Sequence, residues 1–365
     1  MILRLPSYYK EFHCIASECS DSCCIGWEID LDDDSAAYYE SVEGPMGDFM
    51  RKHMKDQKFT LRKNGWCPML NEHKLCRIYI ELGEEALSEV CTEYPRFVID
   101  YPGVRERVLC LSCEEVGRIV FRKTEKMHWE EKTLPEEYED TEWTDEEWEL
   151  AGKLIAARDH AVELLQDRER AIEDRAADYL AYIAKMQQEI FHTVPKEETA
   201  SEKTPYQCFK ERLLCYEELE GLGQEWEQAK KQLEQVYSEE QYETRLQEFL
   251  EALGERKYEY EHLLVYFTYR YFMRAFYDEN LLAKAQFAVT GFLLVREMDA
   301  ARFFTNGAFT EADRVDTARI YAKEVEHSEE NVELLEDDFL FEDVFTVPEL
   351  MKQILCTRPA DQKMM

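Results

Sequence analysis

The sequence has no apolar run of the length that a membrane span requires. About 18 apolar residues in a row are needed, and the best candidate, residues 287–295, is much shorter. The first residues, MILRLPSYYKEF, also lack the apolar core of a signal peptide. From these absences we expect a cytoplasmic protein without a membrane partner, in a compartment where thiols stay reduced.

Positive charge is also scarce. The chain has 44 Lys and Arg residues against 79 Asp and Glu, which gives a formal net charge of −35. Nucleic acids and anionic membranes bind cationic protein faces, so this balance argues against both as main partners. A lysine-bearing protein or a cationic ligand would suit it, although a solvated acidic surface is the more ordinary explanation.

Common nucleotide-binding and hydrolase motifs are missing as well. No G-x-G-x-x-G follows a predicted strand, and the P-loop, HExxH and GxSxG patterns do not occur. The GLG at residues 221–223 lies between two predicted helices. The sequence therefore argues against an ordinary Rossmann methyltransferase, whose first strand leads through a glycine loop into a helix.

Cysteine, in contrast, is abundant. Nine of the 12 cysteines lie between residues 14 and 113, and the others are Cys208, Cys215 and Cys356. In a reducing compartment, clustered thiols indicate metal binding or redox chemistry more often than disulfides. Cys208 and Cys215 are seven residues apart on one predicted helix, so we interpret them as small core residues.

The cysteine spacing leaves the metal open. Zinc sites usually show two C-x2-C pairs or a pair with histidines, but only Cys110 and Cys113 have that spacing, and only His13 and His73 adjoin cysteine segments. The pattern C-x4-C-x3-C-C with later single thiols suits an all-thiolate site, and an iron–sulfur cluster accepts ligands far apart in sequence. An iron–sulfur centre, zinc and buried reduced thiols stay as alternatives.

One predicted helix start bears on these ligands. Ser112 precedes the helical pattern of residues 114–122, and Glu115 follows three residues later, as in a capping box. Cys113 would then lie at the positive end of the helix dipole, which lowers the pKa of a thiol. We expect Cys113 to be a ready thiolate ligand.

The predicted fold is mainly α, in three parts. Residues 1–124 form a cysteine-rich, metal- or iron–sulfur-binding domain with short strands, and residues 125–148 form an acidic linker interrupted by Pro135. Residues 149–365 form a helical bundle domain, because apolar residues recur there at steps of three and four. Thr144 or Asp145 is the predicted N-cap of its first helix.

The segment KYEYEHLLVYFTYRYFMRAFYDENLL is aromatic nearly all round, so its helix should be central. Arg270 and Arg274, four residues apart, share one of its faces. The ordinary interpretation is a core helix whose tyrosine hydroxyls find partners. The alternative is a cofactor cavity in which an adenosine ring stacks and arginine binds a carboxylate in bidentate fashion.

Four segments together resemble a known family. PSYYKEFHCIASECSDSCCIGWEIDLD, CPMLNEHKLCRIYIELGEEALSEVCTEYPRF and LSCEEVGRIVF are similar to the opening of the flagellin lysine-N-methylase (FliB) family, among the cysteine-rich zinc- or iron-chelating proteins. ARIYAKEVEHSEENVELL resembles a helical segment with a central histidine near that family's C-terminus. The N-terminal likeness covers about residues 6–121 in order and spacing.

The resemblance implies a cytoplasmic bacterial protein-lysine N-methyltransferase. Its donor would be S-adenosylmethionine, its acceptor a lysine-bearing protein with flagellin as the candidate, and its metal centre an iron–sulfur cluster, in the first place 4Fe-4S. Cys110 stands outside the family positions, and Glu114 replaces the proline that usually follows the last cysteine. The cysteines on family positions, and hence the expected metal ligands, are Cys14, Cys19, Cys23, Cys24, Cys67, Cys76, Cys91 and Cys113.

Candidate residues for methyl transfer come from the helical part. Tyr266, Arg270 and Arg274 are the candidate cofactor-binding residues. His327 is the candidate general base, since a lysine ammonium has no lone pair and must lose a proton before it accepts a methyl group. Tyrosines at 266, 269 or 271 are alternatives for this role. The competing hypothesis is a non-enzymatic zinc- or iron-chelating carrier with a helical scaffold.

Overall fold

The computed structural model describes residues 1–26, 29–135, 142–193, 199–221 and 223–358. The predicted mainly α architecture, with a few short strands in the cysteine-rich part, is confirmed. The strands are β1 Ile2–Pro6, β2 Ile29–Asp30, β3 Met54–Lys55, β4 Lys58–Phe59, β5 Arg96–Tyr101, β6 Val104–Leu109 and β7 Trp129–Thr133. The helices are α1 Asp33–Ser41, α2 Gly44–His53, α3 Arg77–Leu82, α4 Glu89–Glu93, α5 Glu114–Arg122, α6 Asp145–Leu165, α7 Ile172–Phe191, α8 Pro205–Glu218, α9 Gln224–Val236, α10 Tyr242–Leu253, α11 Tyr258–Tyr271, α12 Ala275–Asp278, α13 Leu281–Asn306, α14 Glu311–Tyr321, α15 Glu329–Phe341 and α16 Val347–Leu355.

The N-terminal part contains two small sheets. In the larger one the strand order is β5-β6-β1-β7, with β1 parallel to β6 and antiparallel to β7, and the smaller sheet has the order β2-β4-β3. Strands β5 and β6 form a hairpin that turns at Gly103, whose φ of +75° suits a residue without a Cβ. This hairpin leads directly into the turn that carries Cys110 and Cys113.

Several helices begin at a threonine that caps them. The Thr144 side chain accepts from the Glu147 N–H while the Glu147 carboxylate accepts from the Thr144 N–H, so the predicted cap of α6 is confirmed. Thr204 and Thr310 form the same reciprocal pairs at the starts of α8 and α14. Each box satisfies backbone N–H groups that have no partner inside the helix.

One large hydrophobic core joins the N-terminal sheet to the helices. It includes Tyr8 and Leu109 from the sheet region, Ile119 of α5 and most of α11 and α13. Every residue of α11 except Tyr258 is buried, which confirms the predicted central aromatic helix. A smaller core lies around α1, α2 and α3, and Cys24, Cys76 and Cys91 pack against it. The predicted domain boundaries stay predictions.

The predicted continuous helix over residues 318–335 is wrong in one respect. Helix α14 ends at Tyr321, Ala322–Glu326 form a π-helical turn, and α15 begins anew at Glu329. The physical reason is a second helix start: the Ser328 side chain accepts from the Asn331 N–H and so caps α15. Among the residues that the structure describes, no helix is both long enough and apolar enough to cross a membrane.

Candidate metal and active site

The cysteine-bearing segments are held together by backbone hydrogen bonds. The Cys67 N–H donates to the Cys24 carbonyl at 2.8 Å, and Cys76 pairs with Leu70 across a short bridge. The Sγ atoms of Cys23 and Cys24 are 3.9 Å apart. Residues that are more than 40 positions apart in sequence are therefore brought into one neighbourhood.

Five thiols affect one another electrostatically, and we call them the thiol group: Cys23, Cys24, Cys67, Cys76 and Cys91. Burial raises the pKa of Cys67 to about 12, and the charges of Cys91 and Cys76 add to the rise. Burial likewise raises the pKa of Cys91 to about 11, with Cys76 and Cys23 adding to it. Cys67 and Cys91 are therefore protonated at neutral pH without a metal, so metal binding would have to release their protons.

Cys113 adjoins the thiol group through Cys23, and Cys19 in turn adjoins Cys113. Cys113 is the N-cap of α5 and its side chain makes no capping bond, so the predicted Ser112 cap is wrong. Burial raises the pKa of Cys113 to about 12. Hydrogen bonds from the Val116 and Glu115 N–H groups lower this pKa, and the charges of Cys19 and Cys23 offset part of that lowering. The Cys113 thiol would therefore have to lose a proton on binding a metal, and its role as a ligand stays a prediction.

Glu114, the residue that departs from the family pattern, ties the Cys19 segment to α5. One of its carboxylate oxygens accepts from the Ser20 N–H at 2.7 Å and from the Ser20 hydroxyl at 2.6 Å. The Cys19 Sγ lies 3.5 Å from the same oxygen. A proline in place of Glu114 would lack these bonds, so this chain uses a carboxylate to fix the position of Cys19.

The donor chemistry of the thiol group suits an all-thiolate centre. It supplies five sulfur atoms, whereas an iron–sulfur cluster or an all-cysteine zinc site needs four. His13 and His73 are exposed. Among the described residues, no three His, Cys, Asp or Glu side chains are already placed around one point as ligands of an ion. Cys14 is exposed, and the predicted ligand set stays a prediction.

Ser112 connects the cysteine segments to the helical part. Its Oγ lies 3.1 Å from the Tyr94 hydroxyl, 3.1 Å from the Cys110 Sγ and 2.6 Å from the His327 Nε2. The His327 ring stacks on Tyr94 with 5.7 Å between centroids. Burial raises the pKa of Tyr94, and the charges of Cys113, Cys110 and Cys23 raise it further. Ser112 and Tyr94 therefore join the turn of Cys110 and Cys113 to the π-helical turn, and the thiol group acts on this contact through the charge of Cys23 on Tyr94.

Glu326, at the end of the π-helical turn, lies beneath this contact and is buried. Its Oε2 accepts from the hydroxyls of Tyr266 at 2.7 Å and Tyr271 at 2.9 Å. Its Oε1 has no hydrogen-bond partner among the described residues. Burial raises the pKa of Glu326 to about 7, although the hydrogen bond from Tyr266 and the charge of Arg270 oppose the rise.

Arg270 is a buried cation without a close ion pair among the described residues, although the charge of Glu326 acts on it from beyond 4.0 Å. It is only 7% exposed, and its guanidinium lies 3.4 Å above the Phe97 ring and 5.0 Å from the Tyr271 ring. No carboxylate of the described residues lies within 4.0 Å of it, and its Nε has no hydrogen-bond partner there. A buried charge without a close partner is costly. The predicted role of Arg270 in binding an anionic group stays a prediction.

The structure brings the four predicted helical site residues to one place. Arg274 lies 5.3 Å from the Tyr271 ring and 3.8 Å from the Glu329 carboxylate, while Tyr266 and His327 adjoin Glu326 directly. Tyr269, the other alternative, packs against Trp129 with 4.1 Å between ring centroids. Glu326 is a site residue that the sequence does not predict. The π-helical turn that buries it beside His327 has no recognisable periodic pattern.

The remaining cysteines lie outside this site. Cys208 is buried and donates to the Glu349 carboxylate at 3.2 Å, which agrees with its interpretation as a core residue. Cys215 borders a surface cavity of about 410 Å³ between α8 and α15, along with Asp338 and Phe341. None of the predicted site residues lines that cavity.

Comparison with known proteins gives the family. The C-terminal domain of FliB lysine N-methylase matches residues 158–353. A lysine-N-methylase of Salmonella typhimurium is 32% identical over 142 residues, which is 35% of this chain and 35% of that protein. Flagellar biosynthetic protein FliU of Salmonella muenchen is 32% identical over 140 residues, or 35% of this chain and 81% of that protein.

The coverage is uneven. The matched stretch spans about a third (35%) of the length of the curated lysine-N-methylases. No solved structure matches the chain. The family match at residues 158–353 covers more than half of the chain and includes α11, the π-helical turn and the residues around Glu326. The chain therefore belongs to the FliB lysine N-methylase family.

Proposed function

We propose that this protein is a protein-lysine N-methyltransferase that uses S-adenosylmethionine and carries an iron–sulfur centre on its N-terminal cysteines. Family membership supports the reaction class, since the relatives are named lysine-N-methylases. The observation that carries the proposal is the buried Arg270, unpaired among the described residues, beside Glu326, where the helical part meets the thiol group. A carrier protein has no evident need for a buried cation that lacks an anion.

Arg270 and Arg274 would bind the carboxylate of the donor's methionine part. Arginine presents a planar fork that matches a carboxylate, and the Nε of Arg270 is an unused donor among the described residues. The Tyr271 ring lies 5.0 Å from the Arg270 guanidinium and 5.3 Å from the Arg274 guanidinium and offers an aromatic face. When bound, S-adenosylmethionine supplies an electrophilic methyl group on a sulfonium. The arginines orient it, and the surrounding core excludes water.

The thiol group, Cys23, Cys24, Cys67, Cys76 and Cys91, would hold the metal centre, with Cys19 and Cys113 next to it. We favour a 4Fe-4S cluster, with zinc as the alternative, because both accept four thiolates. A centre there would cross-link segments that are now joined by a few backbone bonds, and would thereby fix Ser112 and Tyr94 against His327.

The acceptor would be a lysine-bearing protein. The relatives are named for lysine methylation and for flagellar biosynthesis, so flagellin is the first acceptor to test. The net charge of −35 would attract a lysine-rich partner over distances of about a Debye length.

The second candidate function is a metal carrier without enzymatic activity. The observation in its favour is the density of thiols, nine of them between residues 14 and 113, two of which, Cys14 and Cys23, are exposed. A carrier would hand its metal to thiol ligands on another protein and would have no use for Arg270.

Calorimetric titration with S-adenosylmethionine and S-adenosylhomocysteine separates the two functions. We expect saturable binding to the anaerobically purified protein, weakened at least tenfold in Arg270→Gln, because a desolvated charge-assisted contact is lost. Arg122→Gln, which changes an exposed arginine paired with Glu11, is the matched control and should bind normally. Absence of saturable binding to the wild-type protein would refute the methyltransferase.

The metal is identified on the same sample. Iron, acid-labile sulfide and zinc are quantified together with the visible absorption spectrum. Iron and sulfide in similar amounts would support a thiolate-held cluster. Stoichiometric zinc in a colourless protein would contradict the iron–sulfur assignment and leave the cysteines a structural role.

A further inference from the structure

Glu326 has one carboxylate oxygen that accepts hydrogen bonds and one that has no hydrogen-bond partner in the described part of the chain. Oε2 accepts two tyrosine hydroxyls, at 2.7 and 2.9 Å, whereas Oε1 is buried and unpartnered among the described residues. Two other buried carboxylates, Glu297 and Asp299, also have one unpartnered oxygen, but each pairs with a buried arginine through its other oxygen. Glu326 differs from them, because it has no cation within 4.0 Å among the described residues, so its open oxygen could accept from a cationic donor. A donor must approach Oε1 from the side that the tyrosines leave open.

We propose that Glu326 binds the ammonium of the acceptor lysine through Oε1 and takes its proton, while Tyr266 and Tyr271 hold the carboxylate in position. This inference rests on the proposed function and assigns its general base. An ammonium is the group that Oε1 lacks: it is cationic, and it donates hydrogen bonds. The flexible four-carbon side chain of lysine would also allow the ammonium to approach a buried carboxylate.

We place the access to Glu326 through the layer of side chains that Arg274 and His327 form. Arg274 is 32% exposed and lies against the Tyr271 ring, and His327 is half-buried on the neighbouring position of the turn. The lysine stem is long enough to pass such a layer while its methylenes stay in apolar surroundings. The irregular π-helical turn at Ala322–Glu326, a feature common at functional sites, directs the carboxylate inward.

Burial makes the proton transfer favourable. A free lysine has a pKa of about 10.4, so nearly all of it is charged at neutral pH. Inside the site, the ammonium and the carboxylate would form a buried ion pair, which a low-dielectric environment disfavours relative to the neutral pair. The pKa of Glu326, which burial raises to about 7, is near the value at which a general base works best at neutral pH.

The chemical step then balances. The lysine N–H bond breaks and its proton joins Oε1 of Glu326, which leaves a neutral amine with a lone pair. That lone pair forms the N–C bond to the sulfonium methyl group as the S–C bond breaks, and the bonding pair stays on sulfur, which becomes a neutral thioether. The methylated nitrogen carries the positive charge, and Glu326 returns its proton to solvent after the product leaves.

His327, the base expected from the sequence, is engaged elsewhere. Its Nε2 lies 2.6 Å from the Ser112 hydroxyl, and its ring stacks on Tyr94. Burial, with the charges of Lys323 and Arg270, lowers its pKa to about 4, so it is a weak base. We assign His327 a positioning role at the contact between the thiol group and the π-helical turn.

The charged and titratable groups that face Glu326 come from several elements. They are Tyr8 of the loop after β1, Cys110, Tyr266, Arg270, Tyr271, Arg274 and Tyr321. Burial raises the pKa values of these tyrosines above the range in which enzymes work. The acidic limb of the pH profile is therefore assigned to Glu326.

The test is the pH dependence of methylation in Glu326→Gln. With flagellin as acceptor, we expect a loss of about 10²–10⁴-fold at neutral pH, which is typical when a general base is removed. We also expect the variant's rate to rise about tenfold per pH unit between roughly pH 7 and 9, because the fraction of free lysine amine rises tenfold per unit. Affinity for S-adenosylhomocysteine should stay within about threefold of wild type.

Two further variants complete the experiment. Glu330→Gln, which changes an exposed residue of α15, should keep wild-type rates. Tyr271→Phe removes one donor to the carboxylate, so the pKa of Glu326 should rise and the acidic limb should move to higher pH. This second shift tests the inference even if Glu326→Gln fails to fold, and an unmoved limb would overturn it.

The outcomes separate the inference from the function on which it rests. A Glu326→Gln variant within about threefold of the wild-type rate at neutral pH would overturn the assignment of the base and leave the methyltransferase intact. A wild-type protein that binds S-adenosylhomocysteine but methylates no lysine-bearing acceptor would refute the proposed function, and the inference with it.

Discussion

Glu326 shows how the surroundings of a single residue decide its charge. The carboxylate is buried, it accepts two tyrosine hydroxyls, and it lies near Arg270, so that opposing influences act on one group. Desolvation outweighs the others and raises the pKa of Glu326 to about 7. His327, one residue later, is affected in the opposite direction, because burial disfavours the charged form of either residue.

At this scale we predict that Glu326 destabilises the folded protein as the pH rises. Its pKa is about 7 in the folded protein against 4.5 in the unfolded chain, so between these values the folded state binds the extra proton. The free energy of unfolding should therefore fall from pH 4.5 to pH 7 and level off above it, by about 3 kcal/mol for this group.

Denaturant unfolding of the wild type and of Glu326→Gln at pH 5 and pH 8 measures this contribution. The stability of the wild type relative to the variant should decrease from pH 5 to pH 8, since the glutamine does not titrate. A difference between the two proteins that is the same at both pH values would show that Glu326 titrates normally when folded.

At the scale of elements, the helix starts and ends position the site. The Ser328 cap interrupts what the periodicity predicts as one helix, and the π-helical turn before it points Glu326 and His327 at α11 and Ser112. The predicted Thr144 cap is correct, since its capping box involves only neighbours in sequence. The predicted Ser112 cap is wrong, because the hydroxyl instead contacts Tyr94 and His327.

We predict that Thr144→Ala lowers the free energy of unfolding by about 1 kcal/mol. The change removes the acceptor for the Glu147 N–H and so half of the capping box of α6. Chemical denaturation followed by far-UV circular dichroism measures the loss. Thr60→Ala, at an exposed threonine outside the helices, is the control, and equal losses in both variants would contradict a capping role.

At the scale of the whole molecule, long-range ion pairs join the cysteine-rich part to the helices. Asp21 pairs with Arg319 at 2.6 Å and with Lys323 at 2.7 Å, and both partners lie on or next to α14. With the shared core, these contacts hold the segment of Cys19 and Cys23 against the π-helical turn. The remaining acidic surface, which makes the net charge −35, can act on a partner.

We predict that methylation of a lysine-rich acceptor weakens with salt. Raising the salt concentration from about 50 to 500 mM shortens the Debye length from over 10 Å to about 4 Å, so KM for the acceptor should rise severalfold while kcat stays constant. Initial rates at several acceptor concentrations measure this. The affinity for S-adenosylhomocysteine, which we place in a buried site, serves as the control. A KM independent of salt would contradict electrostatic attraction of the acceptor.

The sequence by itself determined the features that depend on neighbours along the chain. Helical periodicity, the Thr144 cap and the buried aromatic helix α11 all follow from interactions within a few residues or from composition. The cluster of cysteines and the likeness to the FliB family were also visible there, and the family is confirmed.

Only the tertiary structure decided which of these residues meet. Tyr266 and Glu326 are 60 residues apart, and Ser112 and His327 are 215 apart. Such pairs form when distant segments pack, which leaves no periodic trace in the chain. The same holds for the pKa of Glu326 and for the absence of a close ion pair at Arg270 among the described residues, because both depend on burial by residues from several elements. The sequence therefore shows the residues and most of the helices that form the site, whereas the packing of distant segments decides which residues are in contact.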